Sequence, residues 1–251
     1  VTTEFARKQA RQAEREIAAG RYRGPLHGIP ITPKDLFYTG GIRTTAGSKI
    51  LRKFFPKENA FVVDRLFKAG AILLGKTNLH EFAYGVTSIN PHFGTVHNPW
   101  DLNRIAGGSS GGSAAAVSAG LCLASLGTDT GGSIRIPSSA CGIVGLKPSR
   151  GLVSLEGVIP LAFSLDHVGP MCRSVQDAAI LLNLLTNETP TAPAVNYLRD
   201  LSNGVRGLRI GLPGFFLKKI QREVRSKILE ASRVFEKMGA RIREVELKGI
   251  E

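Results

Sequence analysis

The chain has 251 residues, 43% apolar and 21% charged, enough for a sizeable core, which excludes wholesale disorder. Its apolar runs, such as Ala178 to Leu182, fall far short of the ~20 residues that a bilayer crossing needs, so no membrane span is expected. The net charge of +13 points first to an anionic partner such as nucleic acid, but residues 1–70 carry +8, residues 71–190 carry −1 and residues 191–251 carry +6, so the excess lies on two flanks.

Taken in chain order, residues 4–19 are rich in Ala, Arg, Glu and Gln and predict a surface helix ending at Gly20. Ile29 to Thr32 reads as a short strand leading to Lys34. Asn59 to Lys68 has helical spacing, with Phe61, Val62, Leu66 and Phe67 on the apolar side. Ala71 to Leu74 reads as a buried strand, and Asn78 can cap a short helix through Phe82. Residues 107–151 hold 11 of the 29 glycines, interrupted by the apolar runs Ala114–Val117, Leu121–Leu126 and Ile143–Leu146. A linker would not need those runs, so tight loops between buried elements are expected. Ser174 to Leu185 predicts a helix with Ser174 as N-cap. Residues 187–205 read as an exposed connector. Leu208–Leu212 and Arg241–Leu247 read as strands on either side of an amphipathic helix, Lys219–Met238. Alternation of strands and helices gives an α/β class with a mixed, largely parallel sheet flanked by helices.

Cys122, Cys141 and Cys172 stand singly among small apolar residues. They read as buried thiols of a cytoplasmic chain rather than a disulfide framework or a zinc site. His92 and His97 are kept off any shared helix face by the nearby Pro91, Gly94 and Pro99, so no metal and no cofactor are expected. Two motif matches fail on context. Gly70 to Thr77 fits GxxxxGK[ST], but its middle is the buried strand Ala-Ile-Leu-Leu, and a helix rather than a strand precedes it. Gly107 to Gly111 fits GxSxG, but a turn-like stretch precedes it, and His167 is the one later histidine for a Ser–Asp–His hydrolase.

Three stretches carry the chemistry: HGIPITPKDLF with Lys34, AGGSSGGSAAAVSAG with Ser109, and SLGTDTGGSIRIPSSACGIVGLKPSRG with Ser133. Ser109 and Ser133 are 24 residues apart, with a helix and a strand between them, so two Gly-rich turns can sit side by side. A serine hydroxyl needs an adjacent base, and without a placed histidine a buried, neutral Lys34 is the candidate. Asp35 would oppose that neutrality if its carboxylate pointed inward. The backbone N–H groups of Thr130, Gly131, Gly132 and Ser133 can converge on one point and stabilise an oxyanion. Together these features favour acyl transfer.

These stretches, with GIRTTAGSKIL, GAILLGKTNLHEFAYG, NPWDLNRIAGGSSGGSAAAV and SLDHVGPMCRSVQDAAILL, resemble the amidase signature family in its order. The resemblance implies the amidase signature fold and hydrolysis of carboxamides through a Ser–cis-Ser–Lys triad. It makes Ser133 the acyl-forming nucleophile, Ser109 a bridging serine with a cis peptide, and Lys34 the base. Thr130, Gly131 and Gly132 join Ser133 in the oxyanion hole, and Asp129 and Arg135 brace the loop. Pro33 departs from the aliphatic residue usual there. The family's domain is about twice this length, so residues 1–251 are expected to be its first part, with the signature core at about 105–150 and the C-terminal part missing. The expected partner is a small-molecule amide, with a homodimer allowed for. The first alternative is the glutamine-hydrolysing A subunit of a tRNA-dependent amidotransferase, which would add partner subunits and tRNA. Against it stand Arg135-Ile136-Pro137, where that chain is expected to have Arg-Gln-Pro, and Gly157-Val-Ile-Pro-Leu-Ala. A charge-driven nucleic-acid-binding module is a further alternative.

Overall fold

The burial of a few short strands decides the architecture. In the computed structural model, which describes residues 1–186, 195–247 and 249, the chain divides into two compact units, Val1–Leu198 and Arg199–Glu251. In the first unit, β1 (Pro30–Pro33), β2 (Ile72–Leu73), β5 (Ala124–Asp129), β6 (Val144–Gly145) and β7 (His167–Cys172) form one sheet in the order β2-β1-β5-β7-β6. β1 runs parallel to both β2 and β5, while β7 runs antiparallel to β5 and β6. The sheet is therefore mixed and largely parallel, with helices α1 (Thr3–Ala18), α2 (Phe61–Lys68), α3 (Gly111–Ser118), α4 (Arg135–Cys141) and α5 (Val175–Leu185) around it. A small antiparallel pair, β3 (His97–Asn98) and β4 (Asp101–Ile105), stands apart from that sheet.

The core is built where the sequence repeats apolar residues at helical spacing. Val62, Val63 and Leu66 of α2 and Leu181, Leu182 and Leu185 of α5 are buried with Leu126 of β5. The predicted cap of α5 is present: Asp177 N–H donates to the Ser174 hydroxyl at 3.0 Å. α1 turns Ala6 and Ala13 inward. Gln9 accepts from Leu73 N–H at 2.9 Å, so α1 covers the edge strand β2.

The structure departs from the sequence reading at three places. Asn78 caps no helix. Its side chain accepts from Leu79 N–H and donates to the carbonyls of Phe93 and Gly94, and only a 3₁₀ turn follows, at Glu81–Ala83. In the second unit the predicted helix 219–238 starts three residues later, as α7 (Arg222–Lys237), and a short helix that the sequence did not predict, α6 (Gly214–Lys218), precedes it. Strand β7 lies in a segment with no predicted strand. Gly169 and Pro170 sit inside it, opposite Gly127 and Leu126, and hide its pattern. The strands β8 (Arg209–Pro213) and β9 (Arg241–Val245) of the second unit pair in parallel. Of the predicted connector 187–205, residues 187–194 lie outside the described residues.

Candidate active site

Lys34 follows β1 directly, and its N–H continues the ladder to the Leu126 carbonyl at 3.0 Å. The adjacent residue, Pro33, fits because its carbonyl faces the β2 side, taking Thr77 N–H at 3.0 Å, and β2 itself has already ended at Leu73. The N–H that proline lacks would point the same way, where the Leu74 carbonyl accepts from Thr2 N–H at 3.0 Å instead. The Lys34 side chain is fully buried. Its Nζ donates to Ser109 Oγ at 2.7 Å and to Thr128 Oγ1 at 2.9 Å. Burial pushes its pKa down to about 7, against the opposing charges of Asp129 and Asp166. Asp35 is not the opposing charge: its carboxylate turns to Thr45 and lies 3.3 Å from Lys76 Nζ. That pairing also occupies the lysine of the GxxxxGK[ST] match, whose Nζ donates to the Phe37 carbonyl at 2.7 Å.

Ser109 stands at the first Gly-rich turn. The Gly108–Ser109 peptide is cis, as the resemblance implies. A Cβ on Gly108 would come within 2.9 Å of the backbone nitrogens of Thr87 and Ser88, so the turn packs backbone against backbone there. The two Gly-rich turns do meet: Ser110 N–H donates to the Ser133 carbonyl at 3.2 Å, and Ser110 Oγ donates to the Thr128 carbonyl at 3.1 Å. Ser133 is 7% exposed, and its Oγ makes no hydrogen bond among the described residues.

Asp129 organises the second turn. Its fully buried carboxylate accepts from the N–H groups of Gly132 (2.8 Å), Ile134 (3.0 Å) and Arg135 (3.3 Å), and from the Arg135 guanidinium at 2.9 and 3.1 Å. Burial alone would raise its pKa, but the Arg135 guanidinium and these N–H groups outweigh it and hold the carboxyl below its usual range. Gly132 has φ +126°, which a side chain would strain, and a Cβ there would meet Ile136 Cδ1 at 2.8 Å. The Gly132 N–H is thus taken by Asp129, while those of Thr130, Gly131 and Ser133 have no partner among the described residues. A Cβ on Gly131 would meet nothing within 4 Å, so this side of the turn is open.

The arrangement can move a proton from a serine to a neutral amine among buried side chains, beside backbone donors that have no partner among the described residues. Two parts of it carry no sequence signal. Thr128 binds Lys34 across 94 positions, and Asp166 accepts from Thr130 Oγ1 across 36. His167, offered by the Ser–Asp–His alternative, places Nδ1 3.2 Å from the Asp129 carbonyl, while Ser109 pairs with Lys34. The three cysteines are free and buried, with Cys141 pushed up to about 11 and Cys172 to about 12 by desolvation.

A family model described as Amidase matches residues 1–251. Among curated proteins, the chain is 48% identical over 98% of its length to the A subunit of the glutamyl-tRNA(Gln) amidotransferase of Carboxydothermus hydrogenoformans, of which it covers 52%. Among solved structures, it is similar to the native peptide amidase of Stenotrophomonas maltophilia, with TM-score 0.91, 41% identity, and coverage of 96% of this chain and 52% of that one. The corresponding amidotransferase chain of Thermotoga maritima follows with TM-score 0.86, 36% identity, and coverage of 99% and 60%. The chain spans about half the length of the curated relatives it matches.

Proposed function

Since the chain belongs to the amidase signature family, we propose that it is the catalytic part of an amide hydrolase that cleaves a carboxamide to a carboxylate plus ammonia or an amine. In this reading residues 1–251 are one part of a longer amidase domain, with the signature core at about 105–150, in a cytoplasmic enzyme. The observation that carries the reading is the buried Lys34 Nζ, 2.7 Å from Ser109 Oγ.

Neutral Lys34 takes the proton of Ser109 as Ser109 takes that of Ser133. The last transfer follows a rotation of the unbonded Ser133 hydroxyl toward Ser109. Ser133 Oγ attacks the amide carbon, and the oxyanion sits against the open N–H groups of Gly131 and Ser133, with Thr130 beside them. Collapse expels the amine, which takes the proton back through the relay. Water, deprotonated along the same path, then releases the carboxylate and frees Ser133. Asp129 and Arg135 keep the turn in shape. An Arg135 contact to a substrate carboxylate is the less favoured role, because its Nε and Nη2 already serve Asp129.

Ammonia release from simple amides tests the reading. Ser133→Ala and Lys34→Ala should each reduce it by about 1000-fold or more. Full activity in either variant overturns the triad. The amidotransferase alternative is favoured by one observation, the 48% identity to an amidotransferase chain of that kind. It requires ammonia release from glutamine that appears only with partner subunits and charged tRNA. The lead reading requires turnover of small amides by this protein, as a monomer or homodimer, without them.

A further inference from the structure

We propose that Asp166 is a positioning residue of this site: it ties the Thr130–Ser133 turn to the 161–166 loop and adds a negative charge, unpaired by any cation among the described residues, to the surroundings of Lys34. The proposal rests on the amidase reading for its catalytic consequence. Asp166 is buried, at 8% exposure. Its Oδ1 accepts from Thr130 Oγ1 at 2.5 Å, and its Oδ2 accepts from the N–H groups of Leu161 (2.8 Å) and Ala162 (3.0 Å). Each oxygen is thus committed to a different segment. Thr130 immediately precedes Gly131, whose N–H is open, so slack in the tie is felt at the oxyanion donors.

The charged and polar groups around Lys34 come from several elements. From β5 come Thr128, a neutral acceptor, and Asp129, whose carboxylate is already met by the Arg135 guanidinium. From the first Gly-rich turn comes the Ser109 hydroxyl. On the turn after Lys34, Asp35 is answered by Lys76. On β7, His167 sets Nδ1 against the Asp129 carbonyl. Among the described residues Asp166 is held by one hydroxyl and two amides and by no cation, and its charge favours protonated Lys34 as the second, smaller contribution after that of Asp129. Removing that charge makes Lys34 release its proton at lower pH.

The test follows Lys34 directly, by NMR titration of the chain carrying 13Cε-labelled lysine, alongside the pH profile of amide hydrolysis. Asp166→Asn should lower both the lysine midpoint and the acid limb of kcat/KM by about half a pH unit. Thr130→Val, which cuts the tie and keeps the charge, should leave the midpoint in place and lower kcat about 10-fold with KM nearly unchanged. Thr130→Ser should restore kcat. A midpoint unmoved in Asp166→Asn, or wild-type kcat in Thr130→Val, overturns the proposal. Should Asp166→Asn fail to fold, the Thr130 pair still decides it. Hydrolysis that persists in Ser133→Ala overturns the amidase reading instead, and the titration then still judges whether Asp166 sets the charge at Lys34.

Discussion

A lysine sealed from water opposes folding whenever it carries its charge, and this fixes both the activity and the stability expected of Lys34. With a pKa near 7 in the fold, the amine is mostly protonated at pH 6 and mostly neutral at pH 8. As a base it works only when neutral, so kcat/KM for amide hydrolysis should rise with pH through about 7 and level off above it. A flat profile between pH 6 and 8 would remove Lys34 from the role of base. The stability sign runs the same way. The unfolded chain keeps this lysine protonated up to its usual pKa, so between about 7 and about 10 the unfolded state binds more protons and stability rises with pH. Lys34→Met, which carries no proton, should therefore be inactive yet gain most in Tm over the parent at low pH. Its advantage should shrink by about 1–1.5 kcal/mol from pH 6 to pH 8, measured by thermal unfolding. An advantage that grew with pH would contradict the buried amine. Lys34, Ser109 and Ser133 were legible because each sits in a short motif of unusual composition. Thr128 and Asp166 were not: each is one ordinary residue whose partner lies far along the chain, and nothing local marks such a pairing. Asp35 misled for the opposite reason, since proximity in sequence to Lys34 says nothing about which way its carboxylate turns.

At the scale of elements, the decisive piece is the turn from β5 into α4, which one carboxylate holds in place. Asp129→Ala would leave the N–H groups of Gly132, Ile134 and Arg135 without their acceptor and the Arg135 guanidinium without its partner. Buried donors left unpaired cost more than a hydrogen bond gains, so the variant should lose about 2–4 kcal/mol in urea unfolding. It should also lose amide hydrolysis, because the turn no longer presents its open N–H groups together. A change under about 0.5 kcal/mol would mean that the turn holds its shape without Asp129. Elements were legible where periodicity and caps agreed, as in α5, whose Ser174 cap and buried Leu181, Leu182 and Leu185 are both present. They were obscured where chemistry breaks the pattern. β7 passes through the sheet with Gly169 and Pro170 inside it, and the β3–β4 pair exposes nearly every residue of β4, so it lacks a buried face to announce it. α6, at Gly214–Lys218, is five residues long and too short to show a helical period, while α7 begins at Arg222, just before the first apolar residue of the predicted spacing, Val224.

At the scale of the whole chain, the excess of positive charge reads differently once its surroundings are known. In the first unit part of it is answered on the surface, as where Arg23 donates to Glu16 at 2.8 Å and holds that carboxyl down at about 2. In the second unit Lys227 pairs with Glu230 at 2.8 Å on the polar side of α7. What stands out there is the other side of the same helix. Val224, Ile228, Val234, Phe235 and Met238 repeat at helical spacing, as the sequence predicted, yet all are exposed, Val234 to 55%. Apolar side chains gathered on one exposed helix face favour association, and surface ion pairs such as Lys227–Glu230 do little to oppose it. Replacing Val224, Ile228 and Phe235 with glutamine should therefore lower self-association of the 251-residue chain in sedimentation velocity and raise its onset of light scattering on heating. The Lys34 titration, which belongs to the first unit, should not move. The apolar contact gains strength with salt while charge-mediated contact loses it, so association of the parent protein should persist at about 0.5 M salt. Association that vanishes at that salt, or that is untouched by the three substitutions, would assign it to the basic residues and remove the α7 face from the explanation.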